Sequence, residues 1–376
     1  VRTTVVDGSP ERVAVLASAL ASALDGGPAV QPATADRAAP DAPPGTVVVT
    51  TSGSTGEPKL VELGVDALRA SAAATAARLG GDARWLLALP AEHVAGVQVV
   101  VRALLAGAPP EALDLRGGFR PGAFATATAA LPEGRRHTSL VPTQLRRLLD
   151  AGGAALDALR SYAAVLVGGA ALDPGLHARA RAAGVAVVTT YGMSETAGGC
   201  VYDGVPLDGV VVDLEADGRI RLGGPVLARG YLGRPEETAA AFAGGRFRTG
   251  DLGRWSGGRL VVLGRADDVV VTGGEKVAPA AVERVLGAQP GVAAACVVGL
   301  PDPEWGQVVA AAVVGTGARI DADALRAAVR AELGRAAVPR RIVELAALPL
   351  RGVGKPDRAA VTALLTDGGA VRHPAG

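Results

Sequence analysis

The stretch Thr50-Thr51-Ser52-Gly53-Ser54-Thr55-Gly56-Glu57-Pro58-Lys59 sets hydroxyl side chains and two glycines ahead of one lysine. It follows the apolar run Thr46-Val47-Val48-Val49, which predicts a buried strand. Glycine lets the backbone come close to a ligand, and successive N–H groups with hydroxyls form a concave donor surface for phosphate oxygens. The lysine adds a mobile point charge. The order is not that of the common P-loop, G-x-x-x-x-G-K-[ST], because Pro58 separates Gly56-Glu57 from the lysine and Leu60 follows it.

Lysine is scarce here. Of 38 basic side chains only Lys59, Lys276 and Lys355 are lysine, each in a Gly/Pro context. A compact ammonium that must reach one oxygen in a crowded site is not replaced by the planar fork of arginine. Surface lysines left over from a compositional bias would give the same count.

Six further clusters carry chemistry. Gly168-Gly169-Ala170 closes an apolar run with small residues, as a flat wall for a base or acyl group or as an ordinary strand-to-helix turn. Tyr191-Gly192-Met193-Ser194-Glu195-Thr196 offers a ring to stack on adenine and a carboxylate to hold magnesium on phosphates. A helix start capped by Ser194 would read the same way. Thr249-Gly250-Asp251 puts a carboxylate where it can accept ribose hydroxyls, or forms a plain turn. Gly264-Arg265-Ala266-Asp267-Asp268, Gly273-Gly274-Glu275-Lys276 and Gly352-Val353-Gly354-Lys355 complete the series.

Taken in order from Thr46 to Arg358, these segments resemble the acyl-adenylate-forming enzymes: acyl-CoA synthetases, luciferases and peptide-synthetase adenylation domains. The resemblance implies that ATP is met by Thr50, Ser52, Gly53, Ser54, Thr55, Gly56 and Lys59, by Gly169 and Ala170, by Tyr191, Gly192, Ser194 and Thr196, and by Asp251 and Arg265. It implies Glu195 as the magnesium ligand, Lys355 as the catalytic lysine and Asp267 as the hinge of a small C-terminal domain. Gly273, Gly274, Glu275 and Lys276, with Trp305 and Arg340, then face coenzyme A, although a lone Trp305 also suits a core. The wording around His93 and Val141-Pro142-Thr143-Gln144, and a phosphate loop that begins at residue 50, is similar to the short o-succinylbenzoate–CoA ligases of menaquinone synthesis. His93 then acts beside the acyl group, which Thr143, Gln144, Gly168, Ala170, Gly192 and Met193 surround. A plain helix start at Thr143-Gln144, Thr capping and Gln exposed, reads equally well. Substrates so implied are ATP, a small carboxylic acid and coenzyme A, with magnesium as cofactor and a homodimer as a compatible assembly. Open beside this stand another aryl- or acyl-CoA ligase, a stand-alone adenylating enzyme with a different acceptor, and a nucleotide-binding regulator without catalysis.

The elements that position these groups alternate. Apolar strand runs at Trp85–Leu89, Thr138–Val141, Ala163–Val167 and Val185–Thr190 are separated by helical stretches at Val65–Leu79, Val97–Leu105, Thr143–Leu149 and Pro174–Ala183. That pattern predicts an α/β fold with parallel sheet layers and ligands beyond the carboxyl ends of the strands. Residues 1–266 are expected to form the large domain, with a β-rich subdomain over 200–264. Residues 267–365 are expected to form a small mobile α+β domain, and 366–376 a disordered tail. The near balance of 38 basic and 37 acidic residues excludes a polyanion-binding surface as the main feature, so no nucleic-acid partner is expected. Cys200 and Cys296 have no metal-ligand spacing. Val13–Leu24 is expected as a surface helix rather than a leader core, no apolar run approaches the ~20 residues that span a bilayer, and the expected compartment is the cytoplasm.

Overall fold

Val47, Val48 and Val49 are fully buried, as a strand covered on both faces requires. They lie in strand Thr46–Thr51 of a computed structural model that describes residues 1–35, 41–51, 58–317, 320–351 and 355–366. A five-stranded sheet runs Arg2–Val5, Val30–Ala33, Thr46–Thr51, Lys59–Gly64, Gly230–Tyr231, the first three parallel and the last two antiparallel. A seven-stranded sheet has the order Val205–Pro206, Gly198–Tyr202, Val187–Met193, Ala164–Val167, Arg136–Leu140, Arg84–Leu87, Glu111–Ala112. Its last five strands are parallel.

Side chains alternate across a strand, and here the alternation builds two cores. Trp85 and Leu87 face helices Pro10–Leu24, Val65–Leu79 and Val94–Leu105, which also pack against Val49 and Leu63 of the first sheet. Leu86 and Ala88 face the opposite way, against helices Pro121–Ala130, Pro142–Ala151, Gly153–Arg160 and Pro174–Ala182. Proline opens several of these helices, at the position where a missing N–H has no partner to lose and φ is already set.

Among the alternating strands and helices, two boundaries move by three residues, further than the others. The helix expected at Val97 starts at Val94, because Gly96 tucks so closely under Pro90 that a Cβ there would stand 2.2 Å from its carbonyl oxygen. The strand expected to end at Thr190 runs on to Met193 and pairs back with Gly198–Tyr202 around a single 3-10 turn, Ser194–Thr196. Ser194 therefore caps no α-helix.

Strands within 200–264 serve three sheets. Gly198–Tyr202 and Val205–Pro206 extend the seven-stranded sheet, and Gly230–Tyr231 completes the five-stranded one. Val211–Leu214, Arg219–Gly223, Arg246–Ser256 and Arg259–Arg265 alone form the antiparallel four-stranded sheet. The open edges of the first two sheets recruit these strands, since an unpaired edge leaves backbone donors and acceptors unmet.

Beyond Asp267 a mostly antiparallel sheet contains Val270–Thr272, Glu275–Val277, Val292–Asp302, Gly306–Gly315 and Arg341–Glu344. Helices Pro279–Gly287 and Ala322–Leu333 cover one face. Helix Arg358–Thr366, which the sequence patterns did not announce, covers the other with Val361 and Leu365. Its first residue, Arg358, donates to Asp268 at 3.0 Å, to Glu283 and to the Val297 carbonyl at 2.6 Å. The end of the Gly-Lys motif is thereby tied to the segment beside Asp267. Of residues 366–376, expected as a disordered tail, Thr366 ends helix Arg358–Thr366 and 367–376 lie outside the described residues.

Candidate active site

Loops after the carboxyl ends of the parallel strands gather on one rim, as open α/β sheets require. Strand Val187–Met193 delivers Tyr191, whose hydroxyl donates to Asp251 Oδ2 at 2.9 Å. Asp251 sits in strand Arg246–Ser256, its N–H donating to Thr249 Oγ1 at 3.0 Å. The guanidinium of Arg265 lies 3.8 Å from its other oxygen. Burial and the Asp251 carboxylate together push the Tyr191 phenol far up, so it remains a donor at any working pH. Two residues 60 apart in sequence thus share one corner of the site with Arg265.

Glu195 lies in the 3-10 turn and is largely buried. Tyr231 donates its hydroxyl to Glu195 Oε1 at 3.0 Å. Burial pushes the Glu195 carboxyl up, while its backbone bond, Tyr231, Lys59 and Arg265 pull it back. Lys59 stands 4.6 Å from the centre of the Tyr231 ring and 2.6 Å from the Glu237 carboxylate. A carboxylate taken from water has lost solvation that a bound cation would make good. No cluster of three or more candidate metal ligands occurs among the described residues. A single carboxylate suits magnesium, which keeps waters and phosphate oxygens as its other ligands.

The Glu195 turn is fixed from behind. Ala197 adopts φ +50, a left-handed conformation uncommon for alanine. Its carbonyl accepts from Gln98 Nε2 at 2.8 Å and from Ser71 Oγ at 3.2 Å. The Glu195 carbonyl accepts from the Ala228 N–H at 2.9 Å. Gly192 faces Gly198 so closely that a Cβ would stand 2.1 Å from its carbonyl oxygen. Gly192→Ala is therefore expected to cost about 1–3 kcal/mol of stability by overpacking. Its denaturant midpoint should fall and adenylate formation should drop with it; an unchanged midpoint would count against this hairpin geometry.

Several expected contacts take other roles. The Thr196 hydroxyl is enclosed, donating to the Gly198 carbonyl at 2.8 Å and accepting from Met193 N–H at 3.0 Å, so it shapes the turn rather than reaching nucleotide. Gln144, expected against the acyl group, is buried: its Nε2 donates to the Ala88 carbonyl at 2.7 Å and its Oε1 accepts from Val141 N–H at 3.0 Å. It pins one βα loop to another. Val141, not Thr143, precedes the helix, and Thr143 lies in its half-buried first turn.

His93 ends the 90–93 loop just before helix Val94–Leu105, its Nε2 4.0 Å from Glu92. Gly168 is packed on Thr190, where a Cβ would stand 2.3 Å from Oγ1, and Ala170 follows it on the rim. Thr50 is half-buried at the end of its strand, Ser52–Gly56 lie outside the described residues, and for Lys355 only the backbone, in strand Lys355–Pro356, is described.

The proposed thiol-facing residues cluster. Gly273 takes φ +57 and lies against Trp305, where a Cβ would come within 2.5 Å of the ring. Its N–H donates to the Trp305 carbonyl at 3.0 Å. Arg340 stacks over the same ring at 4.8 Å, and Trp305 is 36% exposed. That exposure removes the core reading of Trp305. Gly274, Glu275 and Lys276 are exposed beside it. Asp267 is exposed too, one residue after Ala266, whose N–H donates to the Gly250 carbonyl at 2.8 Å.

Residues 2–232 match the family described as AMP-binding enzyme, and residues 281–355 match the AMP-binding enzyme C-terminal domain. The chain belongs to the AMP-binding enzymes. It is 49% identical over 320 residues to a probable 2-succinylbenzoate–CoA ligase of Mycobacterium tuberculosis, covering 84% of this chain and 83% of that protein. Among solved structures it resembles o-succinylbenzoate CoA synthetase from Bacillus subtilis in complex with its acyl-adenylate intermediate, with TM-score 0.74, 29% identity, and 84% and 68% of the two chains covered. An amide bond synthetase from Marinactinospora thermotolerans superposes with TM-score 0.78 at 31% identity, over 89% and 72%. No helix among the described residues is long and apolar enough to cross a membrane.

Tyr231 and Glu237 were missed in the sequence, yet one signal was available. The chain has only four tyrosines, a residue type nearly as scarce here as lysine.

Proposed function

We propose that this chain is an ATP-dependent acid–CoA ligase that joins o-succinylbenzoate to coenzyme A through an acyl-adenylate. The observation that carries the reaction is the pairing of two carboxylates on one rim, each oriented by a tyrosine: Asp251 by Tyr191 and Glu195 by Tyr231. One suits ribose hydroxyls, the other a metal on phosphates. The relative from Mycobacterium tuberculosis, named for 2-succinylbenzoate, supports the choice of acid.

In the first half-reaction the acid's carboxylate attacks the α-phosphorus of ATP and pyrophosphate leaves. Glu195 would hold magnesium, which when bound supplies charge neutralisation on the phosphates. Lys59 and the residues before it receive the departing pyrophosphate, and Lys355 neutralises the attacking carboxylate and bridging oxygen. His93, Gly168, Ala170, Gly192, Met193 and Thr143 border the acyl group, and the ribose is held at Asp251 and Arg265. This is positioning and electrostatic stabilisation, with no covalent intermediate on the protein. In the second half-reaction the unit after Asp267 turns, withdrawing Lys355 and presenting the Gly273–Lys276 loop, and the thiol displaces AMP. Trp305 and Arg340 border its path.

A pyrophosphate-release assay over a panel of carboxylic acids, with coenzyme A or an amine as acceptor, tests the reading. The highest kcat/KM is expected for o-succinylbenzoate with coenzyme A. Preference for another acid would overturn the substrate, and preference for the amine would overturn the acceptor. Trp305→Ala is expected to raise KM for coenzyme A about tenfold or more, by loss of a large stacking surface, with single-turnover adenylation within twofold of wild type. A matching loss in both steps would remove Trp305 from the thiol path.

A further inference from the structure

A second cavity of about 290 Å³ opens at the far end of the large unit. Its wall on helix Val65–Leu79 is Arg69 and Thr75 with Ala72, Ala73 and Ala76 between and beside them, the alanines too short to fill the gap toward helix Val94–Leu105. Trp85 and His137 form the floor, each near the amino end of its strand, whereas the catalytic rim lies at the carboxyl ends. Arg102 lies eight residues along its helix from Val94, ~12 Å from the His93 end at 1.5 Å per residue.

Two of its lining residues each carry a buried polar atom without a partner: Arg102 Nε and His137 Nε2. Arg102 is only 7% exposed. Its Nη2 donates to the Tyr202 hydroxyl at 3.3 Å, and its guanidinium lies 5.4 Å from the Trp85 ring. Among the described residues no carboxylate pairs with it, although arginine stays charged in proteins. Arg69 brings a second guanidinium, bound to the Leu24 carbonyl at 3.0 Å and 3.7 Å from exposed Asp25. Exposed Asp82 stands at the mouth and forms no ion pair with either arginine. Burial together with Arg135 and Arg102 pushes the His137 imidazole down to about 4, which leaves it neutral. Such buried, unmatched groups are costly unless something completes them.

We propose that this cavity is a binding site for a small carboxylate with an apolar body, separate from the catalytic site. Its carboxylate meets Arg102 and Arg69, and its body lies between the alanine wall, Leu105 and Trp85. The volume is at the lower end of ligand pockets, fitting a single-ring acid rather than a nucleotide.

4-Fluorobenzoate observed by ¹⁹F NMR is a direct probe, with the catalytic site filled by a non-hydrolysable acylsulfamoyl adenosine. A saturable shift is expected to remain in wild type. Ala76→Leu fills the space, and Ala73→Glu offers Arg69 a carboxylate one turn away. Each is expected to weaken binding at least tenfold while pyrophosphate release stays within twofold of wild type. 4-Fluorobenzyl alcohol, which lacks the charge, is expected to bind at least tenfold more weakly than the acid. No saturable shift with the catalytic site filled, or equal affinity in wild type and both variants, would overturn the site. Equal binding of the alcohol would overturn the carboxylate. The variant comparison stands whichever acid the catalytic site prefers.

Discussion

Lys355→Ala is expected to slow adenylate formation by 10²-fold or more, about 3 kcal/mol of transition-state stabilisation, and to leave thioester formation from supplied acyl-adenylate within a few-fold of wild type. The expectation rests on where the lysine sits. Strand Lys355–Pro356 pairs with Leu350–Arg351, and helix Arg358–Thr366 starts directly after it. Arg358 locks that helix start to Asp268 and Glu283, so the lysine rides on the same rigid unit as the Gly273–Lys276 loop. A rigid unit that turns about a short segment brings different faces to the rim in turn. Gly274→Leu is the complement: pyrophosphate appears once per site and coenzyme A fails to relieve the block. Lys355→Arg separates charge from shape, and it should behave like the alanine variant. Near-normal adenylation by Lys355→Arg would mean that any cation serves, and equal loss of both half-reactions in Lys355→Ala would remove the division of labour between the two faces.

The parallel layers were legible because short apolar runs and helical stretches alternate along the chain, and helix Val65–Leu79 falls where its alanine-rich stretch places it. The motif order located both Asp251 and Glu195. Less legible was anything that depends on which strand finds which edge. Gly198–Tyr202 and Gly230–Tyr231 read as members of a local β-rich unit, but the first folds back on Val187–Met193 in the seven-stranded sheet and the second joins the five-stranded sheet far back in the chain. The same long-range pairing carries Tyr231 to Glu195, 36 residues away. Polar side chains were harder still. Gln144 and Thr196 stand inside site motifs, yet their hydrogen bonds close on Ala88, Val141, Met193 and Gly198. Spacing tells where a residue lies along the chain; it does not tell whether its polar atoms point to a ligand or back to the fold. Trp305 shows the reverse case, since a ring that could have been core stands exposed beside Gly273 and Arg340.

Glu195→Gln is expected to cut adenylate formation by roughly 10²-fold or more, the scale of removing one preorganised charged contact, and at the same time to stabilise the free protein at alkaline pH. The two effects share a cause. Burial raises the Glu195 carboxyl above its ordinary value of 4.5, so the native chain holds this proton to higher pH than the unfolded chain does. Its stabilising contribution is therefore full below 4.5 and is lost as pH rises through the raised native value. Glutamine is neutral throughout and still offers Tyr231 a carbonyl to donate to. The Tm of the variant should match wild type near pH 4 and exceed it at pH 8 without magnesium or nucleotide. Magnesium dependence supplies the functional readout: the variant's adenylation rate should no longer saturate over the range that saturates wild type. Tyr231→Phe is the positioning control. It removes the donor that aims Glu195 but keeps the carboxylate, so the rate should fall about tenfold with magnesium saturation retained. Adenylation by Glu195→Gln within tenfold of wild type would take the metal role from this residue. A variant less stable than wild type at pH 8 would mean that the buried charge is already matched by Lys59 and Arg265 in the free protein.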